Sequence, residues 1–342
     1  LSQYVVAVVG ATGAVGQEML RVLHERRFPV RELRAFASAR SAGRTLGSGA
    51  HRAVVRVADG TGFEGVDFAL FSAGAERSRE LAPAAARAGA VVIDNSSAWR
   101  MDPAVPLVVP EVNAAAAHAH QGIIANPNCS TIQMVVALSP LRALYGLRRI
   151  VVATYQAVSG TGARAIVELD RQSRDHLAGA PEAHAVYPRR IAFDVLPQVD
   201  VFDADGHSRE ETKMRDETRK IFADPSIVVH ATCARVPVFR GHSEAVVAET
   251  ERAVDLAALR QALAAAPGVV FRADADAYPM ARDASGHDAV FVGRLRAHAD
   301  DPRVVSMWVV ADNLRKGAAT NAVQIAETLV AARSGEAEAW RS

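Results

Sequence analysis

The sequence predicts an α/β protein of two domains: an N-terminal parallel sheet flanked by helices, then an α+β domain built on a mixed sheet. Three observations lead there. The chain opens on a continuous β-branched run, Tyr4 to Val9, that breaks at glycines; strands and helices then alternate up to about residue 128; beyond that the strands lengthen and fewer helices separate them. Alternation is the pattern of a parallel sheet with helices on its faces, whereas long strands with few crossovers suit a mixed or antiparallel sheet. At 342 residues the chain is too long for one ordinary small domain, and long enough to bury a core without disulfides.

Tyr4-Val-Val-Ala-Val-Val9 lacks the alternation of a half-exposed strand and reads as one buried on both faces. It enters Gly10-Ala-Thr-Gly-Ala-Val-Gly16, and a helix follows over 14–26 with Val15, Met19, Val22 and Leu23 on one face. Further strands are expected at 33–37, 54–57, 68–72 and 91–93, with an alanine-rich helix over 76–88. Residues 122–131 read as a turn and 131–144 as an apolar helix. The second half offers strands at 150–157, 228–238, 243–250 and 304–310, and polar helices at 162–175 and 209–222. A last helix over 317–333 can return to the first domain, so the expected division is 1–128 completed by 314–342, and 129–313.

The 39 basic residues nearly cancel the 38 acidic ones, so no global charge draws the chain to nucleic acid or to a membrane surface. No apolar stretch approaches the roughly 18 residues that span a bilayer. The first apolar run enters a glycine turn rather than a cleavage site, so no signal peptide is expected. Two cysteines, Cys129 and Cys233, make no disulfide framework and fit a reducing compartment, which points to the cytoplasm. No metal site is expected.

Gly10, Gly13 and Gly16 stand where a buried strand hands over to a helix. Glycines there let the backbone turn tightly and approach a pyrophosphate held by free N–H groups of the helix N-terminus, the Rossmann-type arrangement. A ligand-free turn would carry the same glycines. An NAD site often places a carboxylate at the end of the second strand, for the ribose 2′-hydroxyl. Here that strand runs into Ala37-Ser-Ala-Arg-Ser-Ala-Gly43, where Ser38, Arg40 and Ser41 suit a 2′-phosphate instead, so NADP is the expected cofactor. A solvated Arg40 is the alternative.

Cys129 lies in Asn126-Pro-Asn-Cys-Ser-Thr131 at the mouth of the apolar helix, where unpaired N–H groups stabilise a thiolate. Cys233, inside an apolar strand, reads as an inert core residue. Among 11 histidines His242 stands out, because a glycine turn joining two strands can expose it; a surface histidine is the competing reading. Glu210 and Lys213 share a helix face, and Arg235 is a charge inside an apolar strand that calls for a partner such as a substrate carboxylate.

Taken together, Gly10 to Gly16, Asp94-Asn-Ser-Ser-Ala-Trp-Arg100, Asn126 to Thr131, Gln156-Ala-Val-Ser-Gly160, Glu210-Glu-Thr-Lys-Met214 and Arg235-Val-Pro-Val-Phe-Arg-Gly-His242 resemble the aspartate-semialdehyde dehydrogenase family, in the family's order. The likeness runs from Val5 to about Ala326. It implies NADPH-dependent reductive dephosphorylation of β-aspartyl phosphate to aspartate semialdehyde, through a thioester, in the biosynthesis of lysine (by way of diaminopimelate), methionine, threonine and isoleucine. The resemblance makes Cys129 the nucleophile, His242 the general acid/base and Gln156 the residue that orients the substrate. Arg235 would pair with the substrate carboxylate and Glu210 with its amino group, while Arg100 and Lys213 hold phosphate, with Asn128 lining the pocket. Thr12, Gly13, Ala14, Val15, Arg40, Ser41, Ser159, Gly160 and Asn313 would contact NADP. The resemblance also implies a homodimer or homotetramer joined through the second domain. An N-acetyl-glutamyl-phosphate reductase-like enzyme and a catalytically silent nucleotide-binding relative remain the alternatives.

Overall fold

The computed structural model describes residues 3–49 and 51–334, so the last eight residues of the helix expected over 314–342 lie outside the described residues. In chain order the first part comprises β1 (Tyr4–Val9), α1 (Ala14–Glu25), β2 (Val30–Ala37), β3 (Thr45–Ser48), β4 (His51–Val57), β5 (Phe68–Phe71), α2 (Ala75–Arg87), β6 (Val91–Asp94), α3 (Pro110–Asn113) and β7 (Ile123–Ala125). Next come α4 (Cys129–Tyr145), β8 (Arg149–Gln156), α5 (Ala163–Leu177), α6 (Arg209–Ile221), β9 (Val228–Arg235), β10 (His242–Glu249) and α7 (Leu256–Ala265). The chain ends with β11 (Val269–Phe271), α8 (Ala281–Ala284), β12 (Val290–Ala297), β13 (Val304–Ala311) and α9 (Thr320–Ser334). It divides into two compact units, one running to Asn128 and resuming at Ala318, the other Cys129–Gly317.

The first unit is a seven-stranded sheet of order β3-β4-β2-β1-β5-β6-β7, parallel throughout except for the β3–β4 hairpin. All six residues of β1 are buried, which is why that strand shows no alternation. Helix α1 sends Met19, Leu20, Val22 and Leu23 into a core shared with Ala322, Val323, Ile325 and Ala326 of α9. The last helix therefore completes this unit. A buried carboxylate fixes the join: Arg26 Nε and Nη2 donate to Glu327 Oε1 and Oε2, each at 2.8 Å. Two local expectations are corrected. The segment 122–131 holds strand β7, and β4 begins at His51 because its partner β3 makes a hairpin edge that exposes Val54.

The second unit is a six-stranded mixed sheet, β11-β12-β13-β10-β8-β9, with β8–β9 and β11–β12 parallel and the other pairs antiparallel. Helix α4 starts at Cys129, two residues before the expected 131, and buries ten of its residues. It packs with α6 and α7 on one face of the sheet. Strand β9 stops at Arg235 rather than 238, since Pro237 has no N–H to pair. Strand β12 is absent from the sequence reading because a bulge between Gly293 and Arg296, with Arg294 at φ 52°, interrupts its pattern. The final helix begins at Thr320 after a π-helical turn, Arg315–Ala319. The other sheet face is open, with a groove of about 620 Å³ lined by Val247, Tyr278, Met280, Arg294 and Trp308. No helix among the described residues is long and apolar enough to cross a membrane.

Replacing Arg26 by Ala removes two charge-assisted bonds from the buried Glu327 carboxylate, a loss expected to cost about 3 kcal/mol in urea unfolding followed by circular dichroism. Arg174→Ala, which breaks an exposed pair with Asp170, serves as the control and should leave the midpoint where it is. Matching midpoints for the two variants would mean that packing alone holds α9.

Candidate active site

In the second unit, four strands and helices deliver polar side chains to one end of the sheet. Gln156 ends β8 and Arg235 ends β9, paired in register. Gln156 Nε2 donates to Glu210 Oε1 of α6 at 3.1 Å and to Thr154 Oγ1 at 3.3 Å. Glu210 Oε2 lies 3.4 Å from Lys213 Nζ, and Lys213 also reaches Asp200 Oδ2 at 2.7 Å. Asp200 is held below the usual carboxylate range, because its bond and ion pair with Lys213 outweigh the opposing effect of partial burial. Ser208 caps α6 in a capping box with Glu211, which fixes where Glu210 falls in the first turn.

His242 begins β10 and is fully buried, so the surface reading is corrected: the glycine turn before it folds over rather than exposing it. The Ala157 backbone N–H donates to its Nδ1 at 3.0 Å. That bond makes Nδ1 an acceptor, so the neutral ring carries its proton on Nε2, which has no partner. Burial, reinforced by the Arg235 cation, holds the imidazole well below its ordinary value, and the ring is neutral at pH 7. Arg235 is itself buried; its Nη1 donates to the Ala157 carbonyl at 2.8 Å and its Nε is unpartnered. A Cβ on Gly160 would lie 2.7 Å from Arg235 Nη1 and 3.2 Å from His242 Nε2, so one glycine marks the spot where the cation and the imidazole converge. Asn313 Oδ1 accepts from Ser159 Oγ and from the Gly241 N–H, both at 3.0 Å, leaving its Nδ2 for a ligand.

Cys129 is the first residue of α4 and is partly exposed, where a helix N-terminus favours a thiolate. Cys233 is buried, and burial pushes its thiol far above the ordinary range. Three features of this unit have no signal in the sequence. A Cβ on Gly317 would lie 2.8 Å from Cys129 Cβ, so the place of Cys129 depends on a glycine 188 positions away. Asp312, fully buried, accepts from Arg240 Nε at 2.6 Å, Gly286 N at 2.7 Å and Leu314 N at 2.9 Å, and so anchors the loop carrying Asn313 and Gly317. Glu244, two residues after His242, is fully buried.

The first unit holds the remaining expected residues. Gly10 has φ 85° and a Cβ there would sit 2.2 Å from Ser72 O; a Cβ on Gly16 would sit 2.3 Å from Gly10 O. Chain packing alone requires both. Gly13 differs, being exposed at the N-cap of α1, so the N–H groups of the first turn, next in chain to Thr12, have no side-chain cap. Gly10 and Ala11 donate to Phe36 O, which ties this turn to the end of β2 and the exposed Ser38 and Arg40, with Ser41 partly buried. An uncapped helix start beside hydroxyls and a guanidinium fits a phosphorylated dinucleotide. Arg100 is buried, with Nε donating to Asn126 O at 3.0 Å and Nη2 to Asn95 O at 2.7 Å. Its loop is fixed by Asp94, which accepts from Ser96 and Ser78, while Trp99 Nε1 donates to Ser78 Oγ. Asn128 is buried two residues after Asn126. No group of three or more potential metal ligands occurs among the described residues.

A family profile described as "semialdehyde dehydrogenase, NAD binding domain" matches residues 5–120, and one described as "semialdehyde dehydrogenase, dimerisation domain" matches residues 138–316. An aspartate-semialdehyde dehydrogenase of Aquifex aeolicus is 54% identical over 334 residues, covering 96% of this chain and 98% of the relative. Among solved structures, aspartate semialdehyde dehydrogenase II of Vibrio cholerae, described as complexed with ASA, superposes with a TM-score of 0.94 at 50% identity, over 96% of this chain and 99% of that one. An aspartate semialdehyde dehydrogenase from Candida albicans, described as with NADP, superposes with a TM-score of 0.76 at 26% identity, over 97% and 99%.

Gly317→Ala must displace either Cys129 or the loop that carries the glycine. Alkylation of Cys129 by iodoacetamide, mapped by mass spectrometry, should slow by about tenfold, the equivalent of some 1.4 kcal/mol at the reacting sulfur. An unchanged rate would show that the helix start absorbs a methyl group without moving the thiol.

Proposed function

The chain belongs to the aspartate-semialdehyde dehydrogenase family, and from that premise we propose that it interconverts β-aspartyl phosphate and aspartate semialdehyde with NADP as cofactor. The observation that carries the reading is the convergence of Gln156, Glu210, Arg235 and His242 at one end of the six-stranded sheet, in the unit whose first residue is Cys129. An amino-acid aldehyde carries a carboxylate and an ammonium group. Arg235 presents a buried guanidinium with an unpartnered Nε to the first, and Glu210 a carboxylate to the second. Gln156, bonded to Glu210, orients the carbonyl between them.

In the biosynthetic direction the Cys129 thiolate attacks the acyl phosphate; the Sγ–acyl bond forms, the acyl–oxygen bond to phosphate breaks, and phosphate leaves. Arg100, Lys213 and Asn128 are assigned to hold that phosphate. Bound NADPH supplies the hydride that reduces the acyl group. His242 acts from Nε2, its uncommitted ring nitrogen, donating a hydrogen bond to the developing oxyanion, sharing its proton with that oxygen as the hemithioacetal forms and recovering it as the hemithioacetal collapses, so the ring ends neutral. The Cys129 Sγ–carbon bond then breaks and the aldehyde is released. The cofactor assignment takes Thr12, Gly13, Ala14 and Val15 for the pyrophosphate, Ser38, Arg40 and Ser41 for the 2′-phosphate, and Ser159, Gly160 and Asn313 for the nicotinamide end. The dinucleotide domain is then 1–128 with 314–342, and the catalytic and dimerisation domain 129–313.

Two copies pair through the open face of the six-stranded sheet, where Val151 and Tyr155 are exposed beside the groove, giving a homodimer from which a homotetramer can be built. Two free cysteines, one of them the nucleophile, suit the reducing cytoplasm.

The test is to incubate the protein with an acyl phosphate substrate without reduced cofactor, then map the adduct. It is expected on Cys129, with Cys129→Ala inactive yet folded by circular dichroism. An adduct on Cys233, or turnover by Cys129→Ala, would defeat the mechanism.

Cofactor choice is tested separately at Arg40. Arg40→Ala should raise the Kd of NADP by about tenfold or more, through loss of a charge-assisted bond worth roughly 1.5–3 kcal/mol, and leave that of NAD nearly unchanged. Equal losses for the two cofactors would remove Arg40 from the 2′-phosphate site.

A further inference from the structure

Glu244 takes no part in the chemistry described above, yet it lies where the two reacting groups are joined. It sits two residues after His242 on β10, so both side chains point to the same, inner face of the sheet, and both are fully buried. Opposite stands α4, the helix that opens at Cys129. Its Ser130 and Gln133, three apart on one helix face, present their side chains to the Glu244 carboxyl. Gln133 also reaches back to β10, its Nε2 donating to the His242 carbonyl at 3.5 Å. Neither Glu244 oxygen closes a hydrogen bond, and Gln133 Oε1 lacks a partner too. An ionised carboxyl with neither oxygen paired is costly in a dry interior; one proton lowers that cost and gives Glu244 an O–H to share with the neighbouring polar side chains of α4.

We propose that Glu244 is a positioning residue whose neutral carboxyl ties the strand of His242 to the first turn of the Cys129 helix. This rests on the assignment of Cys129 and His242 as the reacting pair. The groups around it agree on the charge state. Burial drives the carboxyl well above the usual carboxylate range, the side chains of Gln133 and Ser130 oppose that only in part, and Glu210 of α6 adds like-charge repulsion. The buried Cys233 of β9, a further titratable neighbour, is itself a neutral thiol. With Glu210 already paired to Lys213, the proton belongs on Glu244. One carboxylate, Glu210, is then left to meet the substrate ammonium.

The experiment compares wild type, Glu244→Gln and Glu244→Ala in two readouts: kcat for phosphate-dependent oxidation of the semialdehyde, and the pH-dependent rate at which iodoacetamide alkylates Cys129. Glu244→Ala should lower both by about 10- to 100-fold, with KM for NADP little changed, because a loosened helix start misplaces the thiol. Glu244→Gln, isosteric and neutral, should restore both to within about threefold and keep the wild-type pH profile of alkylation. Should Glu244→Ala fail to fold by circular dichroism, Gln133→Leu removes the same bridge from the helix side and must reproduce the slower alkylation. A Glu244→Gln variant as impaired as Glu244→Ala would overturn the neutral tie, as would a wild-type alkylation rate in Glu244→Ala or, where that variant does not fold, in Gln133→Leu. Alkylation does not depend on turnover, so a Cys129→Ala variant that remained active would sink the nucleophile assignment and leave the Glu244 result legible.

Discussion

One peptide residue organises the polar end of the six-stranded sheet in the second unit. Ala157 donates its N–H to His242 Nδ1 and accepts from Arg235 Nη1 on its carbonyl, so the imidazole tautomer and the guanidinium orientation are set by the same backbone. The position of Ala157 is in turn held on both sides. Val236 N donates to Gln156 O, and Val158 N and Ser159 N donate to Val238 O and Phe239 O, lacing the turn after β8 to the segment leaving β9. Backbone bonds of this kind are insensitive to which side chain residue 157 carries. They are also rigid, and rigidity is what a buried cation beside a neutral imidazole requires.

The order of elements was legible because it rests on local chemistry: a β-branched run without alternation, glycines at a strand exit, a cysteine before an apolar helix. The contacts that complete the site were not. Gly317 against Cys129 and Ala157 between Arg235 and His242 join residues 78 or more positions apart, and neither glycine nor alanine announces such a role. His242 shows the limit most plainly. A glycine turn before a strand suggests exposure, and only the register of β10 between β8 and β13 places the ring inside. Strand β12 escaped for a different reason, since a bulge at Gly293 destroys the period-2 pattern on which strand recognition depends.

The glycine motif of the first unit shows how a signature can be correct and still ambiguous. Gly10 and Gly16 are demanded by contacts with Ser72 and with each other, and would be glycine whether or not a ligand bound. What points to a ligand is the third position, where exposed Gly13 leaves α1 without a side-chain cap. Sequence spacing cannot separate these positions, because all three residues are the same amino acid; packing accounts for Gly10 and Gly16 but not for the exposed Gly13.

Charge balance decides how a doubly anionic substrate group can be met. Lys213 stands between Asp200 at 2.7 Å and Glu210 at 3.4 Å, so its charge is already matched when phosphate arrives. The two pairings are unequal in environment: Asp200 is substantially exposed, Glu210 buried. Exchanging a part-exposed carboxylate for a phosphate costs little, since such pairs contribute on the order of 0–1 kcal/mol, whereas leaving Glu210 would strand a buried charge. In the proposed assignment Lys213 therefore turns from Asp200 toward phosphate while keeping Glu210. A lysine that exchanges a part-exposed carboxylate for phosphate can exchange back at the same small cost, so the proposed contact can both form and release, as a reaction that runs in both directions demands.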